Sequence, residues 1–413
     1  MVKSLIRYLR YFGHAVFVGK TRRLVWLDVK RWLLGPRMRS NTTIIPWSTR
    51  TYGREERAAA REAAVRWLLR AQEATGDMGF ATHRLVEGWT STYVETTGYI
   101  IPTLLDHARR TGDDHVRARA LAAADRLVAL QLPSGGWQGG YVADGKPEVV
   151  FNSAQVVRGL LAAHEATGSA VYLDTARRGC ERLCDLQDPD GAWRKHAFMG
   201  VARVYDSYVA APLLLAHRAT GEARFKATAV RDLEWILAHG LTANGWFRDC
   251  DNTLKHNQRP ILHTIAYTLD GLIDCGELLG EERYIAAARK GADDLFGTFN
   301  RRKTLHGRFD KDWRGSEHMI PTGCAQLAIV WLKLHRISGD VQYLNAALKL
   351  NDQLIAIVDR GAQEHPDTRG ALPGSFPIWG RYEPFAFPNW ATKYLVDALS
   401  LEQERLDAIM AQR

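Results

Sequence analysis

The sequence predicts an all-α fold, an (α/α)6 toroid of six helical hairpins carrying a basic amphipathic arm at its N-terminal end. Three observations predict it. A unit of polar loop, apolar helix, short Gly turn and second helix recurs about every 50 to 60 residues, the mark of a repeat architecture. Its turns fall at Thr111-Gly112, Thr167-Gly168, Thr220-Gly221, Leu279-Gly280 and Ser338-Gly339. The helix before each turn is mostly apolar, as at 156–163 and 327–334, whereas the helix after it carries charges such as Arg177, Arg178, Glu181 and Arg182. The first helix of each pair should therefore be inner and the second outer. Finally, a helix at 54–74 has no partner before it and one from Asn389 to about Leu406 has none after it, so pairing them closes a ring.

Residues 1–40 hold ten basic side chains against Asp28 alone, so the whole formal excess of +9 sits there and the rest of the chain is neutral. The high pI describes this arm and argues against a nucleic-acid-binding body. Leu5, Ile6, Leu9, Phe12, Trp26, Trp32 and Leu33 interleave with the cations. That pattern suits a helix lying in an anionic membrane surface, where each cation adds about 1 kcal/mol. No apolar run approaches the roughly 20 residues needed to span a bilayer. Lys20, Arg22 and Arg23 interrupt the place where a secretory signal would need its apolar core. The expectation is an arm at 1–45 that associates with the membrane surface and a toroid at 46–413, cytoplasmic and peripheral to the inner membrane. Five scattered cysteines form no disulfide framework and suit a reducing compartment.

Expected inner helices lie near 95–110, 153–166, 206–219, 263–278, 322–337 and 389–404. Counting back equally from each turn reaches Tyr99, Gln155, Tyr208, Tyr267 and Gln326. A hydrogen-bonding side chain thus recurs one turn inside helices that should be apolar, and these side chains are expected to ring a shared cavity. The long loops at 133–152, 188–205, 240–262 and 301–321 emerge where the inner helices begin, and long loops in a compact domain tend to be functional. Convergent helix N-termini there favour an anionic ligand.

Two loops, Gln131 to Trp137 and Gln187 to Trp193, read QxxxGxW and resemble the squalene-cyclase and prenyltransferase toroids, where the pattern is structural. The acid motif DxDD of class II terpene cyclases is met only by Asp249-Cys250-Asp251-Asn252, which lacks the last Asp. A broader likeness covers nearly everything after Arg54. The segments Asn244 to Phe247, His263 to Leu272, Gly307 to Trp313, Thr322 to Leu332, Gly374 to Tyr382 and Phe387 to Leu399 resemble six-hairpin-glycosidase-type toroids of bacterial capsule and exopolysaccharide gene clusters, a group including acylglucosamine-epimerase-like and VpsJ-like proteins. The resemblance implies a carbohydrate substrate, an acidic polysaccharide or lipid-linked oligosaccharide, with polysaccharide-assembly proteins as partners. It carries over no catalytic residue.

The face where inner helices begin should present Trp89, Glu95, Tyr99, Asn152, Gln155, Tyr205, Tyr208, Trp246, Arg248, Trp313, Gln326, Trp379, Arg381, Tyr382, Asn389 and Trp390. Aromatic faces beside amides and charges are what a sugar ring needs. Glycoside hydrolysis would use paired carboxyls, Asp206 with Asp249 or Asp251, and Glu95 in reserve. Uronate epimerisation or β-elimination would use His263 or Tyr267, one turn apart on one helix face, as the base. A non-catalytic glycan-binding scaffold and a terpene-cyclase-like toroid are the alternatives. HExxH, paired CxxC, EF-hand, GxGxxG and P-loop patterns are all absent, so neither metal nor nucleotide cofactor is expected.

Overall fold

A computed structural model describes residues 2–17, 19–35, 37–39, 44–359 and 365–412. Two helices, α1 (Val2–Phe17) and α2 (Gly19–Leu34), come first, followed by a short antiparallel ribbon of β1 (Arg37–Arg39) and β2 (Ile44–Pro46). The toroid then alternates outer and inner helices. The inner ones are α4 (Val94–Thr111), α6 (Val150–Thr167), α8 (Ser207–Thr220), α10 (Leu262–Leu279), α12 (Pro321–Ser338) and α14 (Asn389–Ala411). The outer ones are α3 (Arg54–Glu73), α5 (Asp114–Ala129), α7 (Ala170–Leu186), α9 (Ala223–Trp235), α11 (Glu282–Arg302) and α13 (Val341–Asp359).

Each inner helix packs on the next, and α14 packs on both α4 and α3, closing the ring as the unpaired terminal helices predict. The closure is clamped by charge. Arg57 of α3, nearly buried, binds Glu402 of α14 at 2.7 Å and also Asp352 of α13, and Asn351 donates to Glu402 at 2.8 Å. Removing one member would strand its partners in a poorly solvating interior. Inner helices are buried almost all round; α12, for example, buries fourteen of its eighteen residues. Five of the six stop at a glycine with φ between 69° and 77°, a left-handed cap only glycine adopts without strain. Gly98 and Gly159 let α4 and α6 approach most closely, since a Cβ on either would sit 2.4 or 2.2 Å from the other helix's carbonyl oxygen.

The QxxxGxW loops are ties between repeats. Gln131 donates to the carbonyls of Gly135 and Thr175, both at 2.9 Å, while the Trp137 indole donates to Leu127 at 2.8 Å. Gln187 and Trp193 repeat the pattern one hairpin later on Gly191, Thr228 and Leu183. Gln72 makes the same bridge to Met78 and Arg119, although its loop runs two residues longer and ends in Phe80 in place of Trp.

Short strands line the rim: β4 (Gly88–Trp89), β3 (His83–Arg84) and β7 (Ala386–Phe387) form one sheet, and β5 (Arg308–Phe309) pairs with β6 (Gly315–Ser316). The α1–α2 pair packs on this rim. Tyr11 stacks on Phe385 with centroids 5.1 Å apart and donates to Glu87 at 2.7 Å, and Asp28 accepts from the Ile378 amide at 2.9 Å. No described helix is long and apolar enough to cross a membrane.

Candidate active site

A cavity of about 670 Å³ opens among the N-terminal turns of the inner helices. Glu95 and Tyr99 enter from α4, Phe151 and Asn152 from α6, Tyr205 from the turn before α8, His263, Thr264 and Tyr267 from α10, and Trp390 from α14. Loops complete it with Arg84, Tyr93, Tyr141, Lys146, Tyr382 and Glu383. The walls are aromatic. Tyr93 meets Tyr141 and Trp390 edge-on at 4.7 and 5.6 Å, and the Trp390 indole donates to the Tyr382 hydroxyl at 3.0 Å.

Two groups in this wall have opposed protonation preferences. Glu95 is part-buried, keeping some of its surface open to the cavity; no described side chain or amide donates a hydrogen bond to it, and desolvation by the surrounding wall lifts its carboxyl to about 8. The group is therefore mostly neutral at pH 7 and can give a proton. His263 is held by Gln326, whose Oε1 lies 2.6 Å from Nδ1. With Oε1 as acceptor, Nδ1 carries the proton and Nε2 the lone pair. Burial lowers the imidazole to about 4 against a smaller opposing push from Gln326, so the ring is neutral at pH 7 and its Nε2 lone pair is unprotonated. Tyr267, its ring tilted 46° to that of His263 with centroids 4.5 Å apart, is pushed well above the ordinary phenol range by burial and is a donor rather than a base.

The tyrosines of the polar column meet one another. Tyr99 and Tyr267 face this cavity, whereas Tyr208 and Tyr394 face a second cavity of about 630 Å³ at the opposite end. The Tyr208 and Tyr394 hydroxyls are 3.3 Å apart, and the Tyr208 and Tyr267 rings 4.7 Å apart, so the four tyrosines lie as a layer between the two spaces. Tyr394 is the column's sixth member. It has no Gly turn after it from which to count, though it stands five residues beyond Asn389 as Tyr267 stands five beyond Leu262. Gln155 sits behind the layer, fully buried and donating to the Tyr208 carbonyl at 3.2 Å.

Other predicted residues stand elsewhere. Asp251 is fully buried and fills its oxygens with Arg308 at 2.8 Å, the Thr253 hydroxyl at 2.6 Å and the Ile261 amide at 3.0 Å. Asp249, at φ 49°, accepts from Asn257 at 2.6 Å in an exposed loop. Asp206 is buried beside Arg203 outside the cavity lining, and burial lifts its carboxyl to about 8. The Trp246 and Trp313 indoles donate to the Phe309 and Asn244 carbonyls, tying loops together. Trp89 packs on Trp67 and His83, and Trp379 on Phe12. Asn389 bridges the Phe80 and Ala81 carbonyls at 3.0 and 3.1 Å. Arg248 is exposed, and Arg381 is exposed on the rim with Glu317 at 3.3 Å. The cavity's own cations are Arg84, over Tyr141 at 5.8 Å, and Lys146, paired with Asp144 at 2.8 Å.

Among the described residues no group of three or more His, Cys, Asp or Glu could hold a metal ion. No family model and no curated protein matches the chain. Solved structures do. An unsaturated glucuronyl hydrolase specific for heparin superposes with TM-score 0.67 at 16% identity, covering 85% of this chain and 98% of its own. Cellobiose 2-epimerase from Spirochaeta thermophila gives 0.66 at 16%, with 86% and 97% covered. A sugar epimerase from a ruminal bacterium gives 0.64 at 12%, with 84% and 98% covered. At such identities the likeness is one of fold: this chain is an α/α toroid of six helical hairpins.

Proposed function

We propose that the chain is a carbohydrate-active enzyme that moves protons on a sugar, with Glu95 as general acid and His263 as general base. The observation that carries this reading is that one aromatic cavity is lined by both Glu95, to which no described group donates, and His263, whose Nδ1 is fixed by Gln326 at 2.6 Å; desolvation raises the carboxyl to about 8 and lowers the imidazole to about 4. Both are in working form at neutral pH, which is what acid–base catalysis needs. His263 Nε2 takes the proton from the carbon next to a sugar carbonyl or carboxylate while Glu95 protonates the oxygen on which negative charge develops. Delivery of a proton from water to the other face of that carbon, as the enol proton returns to Glu95 and His263 releases its own, epimerises it; in an elimination the neighbouring substituent leaves instead, protonated by the His263 imidazolium as Glu95 takes back the enol proton.

The aromatic walls suit the C–H faces of sugar rings, and Asn152, Arg84 and Lys146 suit their hydroxyl and carboxylate groups. The fold neighbours named for glucuronyl hydrolysis and sugar epimerisation support a sugar ligand. We place the substrate among acidic polysaccharides or lipid-linked oligosaccharides of capsule and exopolysaccharide assembly, on the strength of the sequence resemblance. A cytoplasmic setting accords with five free, buried cysteines. Hydrolysis is the second reading, favoured by Glu383, a second carboxylate in the cavity wall.

The test is incubation with uronate and neutral oligosaccharides in deuterated water. Epimerisation or elimination through His263 places deuterium on the product carbon or releases an unsaturated sugar, and Glu95→Gln and His263→Asn lose it. New reducing ends without carbon-bound deuterium select hydrolysis. Unchanged glycan affinity and no turnover in any arm select a binding scaffold.

A further inference from the structure

We propose that the outward face of the α1–α2 pair is a docking surface for an anionic lipid bilayer, and that it holds the cavity mouth against that bilayer. Each helix has one packed side and one free side, half a turn round from each other. On α1, Tyr8 and Tyr11 meet the toroid while Ile6 and Leu9 face away, 59% and 64% exposed. On α2, Leu24, Val25 and Asp28 are buried while Trp26 and Leu33 face away, 62% and 47% exposed. Isolated apolar side chains on a surface need no explanation, but four bulky ones on adjoining helix faces do.

Charge identifies the occupant. Arg10, Arg22 and Lys30 are exposed among those apolar residues. The one acidic residue of 2–34, Asp28, is turned inward onto the Ile378 amide. The free face is therefore cationic and apolar with no carboxylate, the combination that seats a helix in the headgroup layer of anionic lipid. A protein partner of ordinary mixed charge has no such requirement.

Position gives the docking a purpose. The packed side of α1 rests on Phe385, in the loop whose Tyr382 and Glu383 form the cavity wall, and on Glu87, three residues from the cavity's Arg84. A bilayer under the hairpin thus lies beside the cavity mouth, suiting a glycan carried on a lipid; this last step rests on the cavity reading above.

The experiment is flotation of the full chain with vesicles of phosphatidylcholine alone or mixed with phosphatidylglycerol. We expect binding to the mixed vesicles only, weakening with salt. The triple charge reversal R10E/R22E/K30E should weaken it by about 100-fold or more, and W26S/L33S by at least about tenfold. These side chains are exposed, so both variants should keep the wild-type thermal midpoint and full turnover of a soluble glycan. Failure of the wild-type chain to float with anionic vesicles, or equal flotation of the variants, overturns the proposal. So does a wild-type dimer in light scattering that W26S/L33S converts to monomer, which would make the occupant a second copy. Glu95→Gln should float like the wild type; if it also kept full turnover, the cavity reading would fail and the docking result would stand.

Discussion

Replacing Glu95 by Gln keeps the shape of the side chain and removes its titration. In the native chain the carboxyl rises from an ordinary 4.5 to about 8 because burial disfavours its charged form. Between those values the unfolded chain has released this proton and the folded chain has kept it. Native protein therefore binds more protons, and stability falls as pH rises through the window. Each unit is worth about 1.4 kcal/mol. Cavity water offsets part of the full shift, so the wild type should lose about 2 to 4 kcal/mol between pH 5 and pH 8 that Glu95→Gln does not lose. Urea unfolding of both proteins at half-unit steps measures this, because every other titrating group cancels in the difference. The same substitution should lower kcat by about 100-fold or more at pH 7. A stability difference that stays flat from pH 5 to pH 8 would refute the assignment of a neutral acid in the cavity wall, whatever the kinetics show.

The pH–rate profile of the wild type should be bell-shaped, with flanks near 4 from His263 and near 8 from Glu95, and Glu95→Gln should abolish the alkaline flank. Gln326→Leu removes the group that fixes the His263 tautomer; kcat should fall by about tenfold or more with KM little changed, read by steady-state kinetics. Asp251→Ala leaves Arg308 with Glu317, at 3.2 Å, as its remaining carboxylate and strands the Ile261 amide; it should cost about 1 to 3 kcal/mol of stability by denaturant titration, while molecules that remain folded keep their turnover. Gly98→Ala would press a Cβ onto the Gln155 carbonyl oxygen at 2.4 Å, so α4 and α6 must part and the thermal midpoint should drop by several degrees.

The helical ring was legible because its signals are periodic. Gly turns after apolar helices and a polar residue one turn inside each helix survive without knowledge of the partners, and the observed inner helices begin within about three residues of the expected positions. The fate of the loop carboxylates was not legible. Asp249 and Asp251 read as candidate acids because they are clustered, but a loop side chain's direction depends on contacts distant in sequence. Arg308, which occupies Asp251, lies in another repeat. Glu95 shows the converse. Its neighbours Thr96 and Thr97 give it no motif, and its prominence comes from a desolvation that only the assembled cavity supplies. Arg84, Tyr141 and Lys146 enter from loops with no periodic place in the repeat, so no column pointed to them.

The tyrosine layer across the axis has a consequence for how a polymer could be handled. With Tyr99 and Tyr267 above and Tyr208 and Tyr394 below, the ring is no tunnel, and a strand entering the mouth meets a floor. A chain interior would have to bend sharply to touch Glu95 and His263, whereas a terminus reaches them straight on. On the proposed reading, the part of a polymer presented to Glu95 and His263 would be its end residue.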